Sequence, residues 1–208
     1  KPLPFGSIYE SNSAMLVAAL KSFGFNEVHV QIVSDDYQIT ENALINASSE
    51  NDFVILSGGI SVGDYDYVGK ALNELNAEQV FYKVAQKPGK PLYFGKINNS
   101  LIFALPGNPA AALTCFYIYV LDALQHFIGN SKPGLVKAKL ALSNDFSPPG
   151  FRSQLLKAKT DFNQVEILPM QSSAMLRSFA DANCIVFIPQ EKTEVFQGEY
   201  VNCWLITQ

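Results

Sequence analysis

Charge, cysteine and histidine are all scarce in this chain, and each scarcity removes a class of function. Only 16% of its 208 residues are charged, against roughly 25% in an average soluble domain. With 48% apolar residues, the chain has to bury most of what it carries. Fifteen basic against nineteen acidic side chains leave a net charge of −4 and a pI near 5.2, which argues against the basic footprint of a nucleic-acid binder. Cys115, Cys184 and Cys203 are far apart and form no CxxC pair, so they supply neither a disulfide framework nor a zinc site and read as reduced core residues. His29 and His126 have no partner at ligand or dyad spacing, and no GxSxG, HExxH or P-loop occurs. No apolar run reaches the roughly 18 to 20 residues that cross a bilayer uninterrupted by polar groups, and no basic-then-apolar leader opens the chain. The expectation is a soluble, cytoplasmic protein with neither nucleic acid nor membrane as partner.

What the chain does have is pattern. Asn12 or Ser13 is expected to cap a helix whose apolar positions Met15, Leu16, Ala19, Leu20 and Phe23 keep the helical period, with Gly24 ending it. Val28, Val30 and Ile32 alternate as in a strand, and a second helix is expected around 39–47. Phe53-Val54-Ile55-Leu56 is a short apolar run suited to a strand buried on both faces, and Val68, Ala71, Leu72 and Leu75 predict a third helix. Strands follow at 79–84, 91–97 and 101–104, the last two joined as a hairpin by Asn98-Asn99, and a long helix at 109–127. Beyond the breakers Asn130 to Gly134 the pattern becomes short strands at 137–142, 154–160, 165–168, 184–188 and 200–205. The fold expected is α/β. A three-layer α/β/α domain on a mainly parallel sheet spans 1–132, and a small all-β, barrel-like domain spans 135–208.

Charge is unevenly spread: residues 1–82 hold three basic and eleven acidic groups, 83–134 five and one, and 135–208 seven of each. Three constellations stand out. In LSGGISVGDYDY, residues 56–67, Gly58 and Gly59 let the backbone turn sharply after a buried strand, flanked by Ser57 and Ser61. The carboxyl end of a strand in an open α/β sheet is where small molecules bind. Asp64 suits a helix cap, whereas Asp66 suits a Mg2+ ion shared with substrate phosphates. In KVAQKPGKP, residues 83–91, Lys83, Lys87 and Lys90 cluster around the turn Pro88-Gly89 and could cradle an oxyanion. In LPGNP, residues 105–109, Pro106, Gly107 and Asn108 lead into Pro109 at the first position of a helix, leaving the next amides unpaired for an anion. These turns predict a site for a phosphorylated or anionic small molecule, with Mg2+ as cofactor.

SGGISVGDYD, KPGKP and LPGNP, in that order and spacing, closely resemble the molybdopterin molybdenumtransferase family, known in bacteria as MoeA and in animals as the E domain of gephyrin. SIYESNSAML and SDD resemble its preceding motifs, and GFRSQL and SSAMLRSFADANCIVFIP its C-terminal domain. The resemblance implies insertion of molybdate into adenylylated molybdopterin with release of AMP, assisted by a divalent cation, and it implies a homodimer. By position it assigns functional carboxylates to Asp35 and Asp66, a basic pair to Lys83 and Lys87, loop prolines to Pro106 and Pro109, and molybdate binding to Arg152 and Ser173. The glycine usual before that serine is Ser172 here.

The family also carries further N-terminal regions and a first strand of the α/β domain ending in a TGDE-like motif. The chain opens on Lys1-Pro2-Leu3-Pro4 and reads as a C-terminal fragment, expected to need the missing N-terminal region or a partner chain for stability and activity. Two other functions remain open at this point. A molybdopterin adenylyltransferase-like enzyme shares the SGG turn but lacks a β-rich tail, and that adenylyltransferase could instead be a partner. A non-enzymatic, gephyrin-like scaffold is the other.

Overall fold

The structure is a computed structural model that describes residues 9–60 and 67–206. The first helical pattern forms α1 (Asn12–Ser22). Its first turn is capped by the Glu10 carboxylate, which accepts from the Ser13 amide at 2.8 Å, and not by Asn12 or Ser13. Residues 25–34 then run without regular structure. The strand expected at Val28–Ile32 is absent among the described residues: alternation makes a strand only where a neighbour supplies ladder hydrogen bonds, and Val30 and Ile32 stay 55% and 77% exposed. Asp36 accepts from the Ile39 amide at 2.9 Å and so starts α2 (Tyr37–Glu50).

Next come β1 (Phe53–Ser57), α3 (Tyr67–Glu74), β2 (Glu78–Tyr82), β3 (Gln86–Lys87), β4 (Tyr93–Ile97) and β5 (Ser100–Leu105). The sheet order is β1-β5-β4-β2. Only β1 and β5 are parallel; β5–β4 and β4–β2 are antiparallel, so the sheet is mixed and not mainly parallel. The short connection at Asn98, whose φ is 53°, permits only a hairpin, because a parallel return needs a crossover of a dozen residues or more.

The strand period sorts the core into two. Val54, Leu56, Ile102 and Ala104 pack with Leu44 of α2 and Leu72 of α3, while Phe53, Ile55, Phe103 and Leu105 pack with Leu16 and Leu20 of α1 and with the helix that follows β5. Helices cover both faces, which makes the three layers. That following helix is continuous in three parts: α4 (Pro109–Cys115), a π-helical turn Phe116–Val120, and α5 (Leu121–Phe127). Its length and composition would suit a membrane span, but Ala112, Cys115, Phe116, Val120 and Leu121 are fully buried in the α/β core. Phe179, from the β-rich part, also packs there. Its apolarity is thus met largely within the chain and by itself does not call for a second copy.

The remaining strands are β6 (Val136–Leu142), β7 (Ser153–Thr160), β8 (Gln164–Ile167), β9 (Cys184–Ile188) and β10 (Tyr200–Leu205). The order β7-β8-β6-β10-β9, with β9 returning to β7, closes a five-stranded barrel around Leu142, Ala158, Val186 and their neighbours. Closure leaves no free edge in that ring. Strand β3, from the α/β part, pairs in parallel with the start of β7. All three cysteines are buried and free, with burial pushing the Cys184 and Cys203 thiols up to about 12 and about 11.

Leu105 is fully buried at the end of β5. Leu105→Ala is expected to lower the unfolding free energy by about 2–5 kcal/mol, read from urea denaturation of the two proteins side by side.

Candidate functional site

Because β1 and β5 are parallel and adjacent, their carboxyl ends open at the same sheet edge, with Ser57 opposite Leu105. The Gly58 amide donates to the Leu105 carbonyl at 3.4 Å, which keeps the two turns side by side. Gly58 and Gly59 both have positive φ, 87° and 66°, so this turn is open to glycine and strained for other residues. Asn12, at the start of α1, ties the turns together from outside: its Nδ2 donates to Ser57 Oγ at 2.7 Å and to the Gly107 carbonyl at 2.8 Å.

The other walls come from the basic loop and from the barrel. Lys87, Pro88, Gly89 and Lys90 form one side, with a cis Lys87–Pro88 peptide. Arg152, at the entry to β7 and next to the basic loop through its bond to the Gln86 carbonyl, and Gln171, Ser172 and Ser173 also line the cavity. Ser173 joins the two parts of the molecule, its hydroxyl accepting from Asn108 Nδ2 at 2.9 Å and its carbonyl from the Ala111 amide at 3.2 Å. That second bond corrects the expectation of unpaired amides after Pro109, since the barrel loop takes the amide at the third helical position. Together these groups enclose a cavity of about 820 Å³, the size of a site for a drug-sized or nucleotide-like ligand.

Its chemistry is one-sided. Lys87, Lys90 and Arg152 line it and no described carboxylate does. The ion pairs among the described residues are Lys70–Glu74 and Lys192–Glu199, so the three cations of the cavity have no acidic partner there. A concave surface with this balance attracts anions. Among the described residues no group of three or more His, Cys, Asp and Glu side chains could hold a metal ion, and this lining is a donor set for an oxyanion rather than for Mg2+.

Of the residues singled out from sequence, Gly58, Gly59, Lys87, Lys90, Pro106, Gly107, Asn108, Arg152 and Ser173 come together on this cavity. Ser57, the last residue of β1, and Pro109, the first of α4, flank the adjoining turns without lining it. Lys83 does not line it: its φ is 64° and its ammonium lies 4.7 Å from the centre of the Tyr82 ring. Asp35 is exposed in the bend before α2 and is not among the described lining residues. Ser61 and Asp66 lie outside the described residues.

Sequence reading passed over Asn12 as a helix cap. It also missed Lys157, which is 3% exposed in β7 and whose Nζ donates to the carbonyls of Met170 and Ser172 at 3.2 and 3.3 Å. Gln171 reinforces the same loop, accepting from the Lys157 amide at 3.0 Å and donating to the Lys157 carbonyl at 2.8 Å. A lysine amid Leu155, Leu156 and Ala158 is the one signal the sequence held, because a buried strand interior disfavours an unpaired charge. Desolvation lowers the Lys157 pKa below its ordinary value.

Two family models match the chain: one described as "Probable molybdopterin binding domain" over residues 3–126 and one described as "MoeA C-terminal region (domain IV)" over 139–206. The chain is 33% identical to the molybdopterin molybdenumtransferase of Haemophilus influenzae, covering 97% of this chain and 51% of that protein. It is 29% identical to that of Bacillus subtilis, covering 100% and 49%. With the molybdenum cofactor synthesis protein cinnamon of Drosophila melanogaster the identity is 34%, covering 91% and 32%. In structure it is similar to the molybdopterin biosynthesis MoeA protein of Pyrococcus horikoshii, with a TM-score of 0.83 at 27% identity, covering 100% of this chain and 51% of that one. The chain spans about half the length of these bacterial and archaeal proteins and about a third of the Drosophila one.

The buried ammonium sets a pH dependence. A lysine whose pKa is lower folded than unfolded releases its proton first in the native state, so stability rises with pH through the window below 10.5. Lys157→Met is expected to remove that rise. Denaturation series of both proteins between pH 8 and about 10.5, compared as a difference, check it.

Proposed function

The chain belongs to the molybdopterin molybdenumtransferase (MoeA) family, and from that premise we propose that it forms the ligand-binding half of an enzyme of molybdenum cofactor biosynthesis. The reaction proposed is insertion of molybdate into adenylylated molybdopterin with release of AMP. The observation that carries this reading is the cavity in which Lys87, Lys90 and Arg152 converge with no described carboxylate. Adenylylated molybdopterin is a phosphate-linked nucleotide and molybdate is an oxyanion, so both substrates need what this lining offers. Lysine ammonium groups act as compact point charges on phosphate oxygens, and the guanidinium of Arg152 can hold two oxygens of one anion at once.

The two parts of the chain divide the work. The turns after β1 and β5 and the basic loop bind the phosphorylated pterin. Arg152, Ser172 and Ser173, carried by the barrel, face molybdate. Direct bonds from Asn108 and Ala111 to Ser173 support treating these as one site. Asp66 is the residue that would hold a Mg2+ ion shared with the substrate's phosphates. A homodimer and a supplying adenylyltransferase belong to the same reading as expected partners.

The test is conversion of adenylylated molybdopterin and molybdate to molybdenum cofactor, with AMP measured as co-product. Lys87→Ala and Arg152→Ala should each reduce turnover or ligand affinity about tenfold to a hundredfold, the range expected for one charge-assisted hydrogen bond. Unchanged binding of the pterin nucleotide in both variants would refute the site.

A further inference from the structure

Behind the basic loop, outside the cavity lining, lies a polar network. Gln86 is 2% exposed. Its side-chain nitrogen donates to the Gly89 carbonyl at 3.3 Å and to Cys115 Sγ at 3.7 Å, and its side-chain oxygen accepts from the Tyr119 hydroxyl. Cys115 and Tyr119 flank and occupy the π-helical turn Phe116–Val120, a kind of turn that often accompanies functional sites. In its backbone Gln86 pairs with Ser153 of the barrel, and its carbonyl accepts from the Arg152 guanidinium at 3.4 Å.

Gln86 thus touches the support of every cation in the cavity. Lys87 is the next residue, Lys90 follows the Gly89 carbonyl that Gln86 holds, and Arg152 leans on the Gln86 backbone. The amide can face only one way. A carbonyl oxygen such as that of Gly89 only accepts, so the amide nitrogen must point at it, and the amide oxygen is left for a donor. Burial pushes the Tyr119 hydroxyl and the Cys115 thiol each up to about 12, so both stay neutral and Tyr119 remains a donor across the physiological range. Gly89 is fitted to the network: its φ is +86°, and a Cβ there would strike Cys115 Sγ and lie 2.9 Å from Gln86 Nε2.

We propose that Gln86 is the positioning residue of the anion site, oriented by the Tyr119 hydroxyl, and that it sets the spacing of Lys87, Lys90 and Arg152 for a diphosphate-bearing ligand. This rests on the reading of the cavity as the site of a phosphate-linked pterin nucleotide and deepens it. Tyr119 and Gln86 do not touch the ligand; they act through the three cations.

Inorganic pyrophosphate is the probe, titrated calorimetrically into the chain and its variants. Tyr119→Phe removes one oxygen and is expected to weaken binding about fivefold to tenfold, as the loss of one neutral hydrogen bond would. Gln86→Met should weaken it at least as much. In the Lys87→Ala/Arg152→Ala background, Tyr119→Phe should cost less than about twofold, because residues acting as a unit are not additive. Thermal melts confirm that each variant is folded; if Gln86→Met is not, Tyr119→Phe alone decides. Folded variants that bind like wild type would overturn the inference and leave the anion site standing. An equal loss with and without Lys87 and Arg152 would also overturn it, since the network would then be supporting only the fold. A wild-type chain that binds no pyrophosphate would remove the anion site and this inference together.

Discussion

The parallel pairing of β1 with β5 is the constraint on which the rest of the site depends. Parallel neighbours end on the same side, so the turns Ser57–Ile60 and Pro106–Asn108 open side by side at one edge. Everything else attaches to that juxtaposition. Asn12 bridges the two turns, the helix beginning at Pro109 leaves from the second, and its third amide reaches across to the barrel. Were β5 antiparallel to β1, the glycine turn and the LPGN turn would lie at opposite ends of the sheet.

The second half of the site is borrowed. A five-stranded barrel is a closed object with its own core, and it adds Arg152 and Ser173 to a cavity begun by another layer architecture. It is held in place by β3, two residues from the α/β part laid along β7, by the bonds of Asn108 and Ala111 to Ser173, and by Phe179 packed against the α/β core. The cost of bringing like charges together at this junction is met by leaving Lys87, Lys90 and Arg152 open to solvent and ligand, where water screens them. Lys157, by contrast, is buried and anchored to carbonyls.

Much of this was legible from the residues. The helical period from Met15 and the barrel strands Cys184–Ile188 and Tyr200–Leu205 form as their patterns imply, because local period and burial agree there. The apolar run at Phe53 to Leu56 also forms its strand, but at the sheet edge and only half-buried instead of buried on both faces. The glycine, lysine and proline turns also converge, since each sits at a strand end that the topology brings to one edge. Three things were not legible. The sheet's mixed sense also needs β2 to pair antiparallel with β4, a contact that the hairpin expected at Asn98-Asn99 does not decide. Val28 to Ile32 has strand alternation but, among the described residues, no ladder partner. Asn12 and Lys157 act through partners 45 to 95 and 13 to 15 positions away, and Gln86, apart from its bond to Gly89, through partners 29 to 66 positions away; no local pattern announces bonds of that kind.

The π-helical turn at Phe116–Val120 also acts as an angular index between the two parts of the molecule. Each residue added to or removed from a helix rotates everything after it by about 100°. Gln125, on α5 beyond the turn, receives the linker: its side chain accepts from the Gly134 amide at 2.8 Å and its carbonyl from the Asn130 amide at 2.9 Å. A one-residue deletion that restored ordinary α-helical winding would swing that anchorage around the helix and set the linker against the β3 and Ser173 contacts that hold the barrel. The same wide turn that presents Tyr119 to Gln86 therefore also sets where on the helix the linker to the barrel is anchored, so one helical register serves both the site's support and the chain's exit.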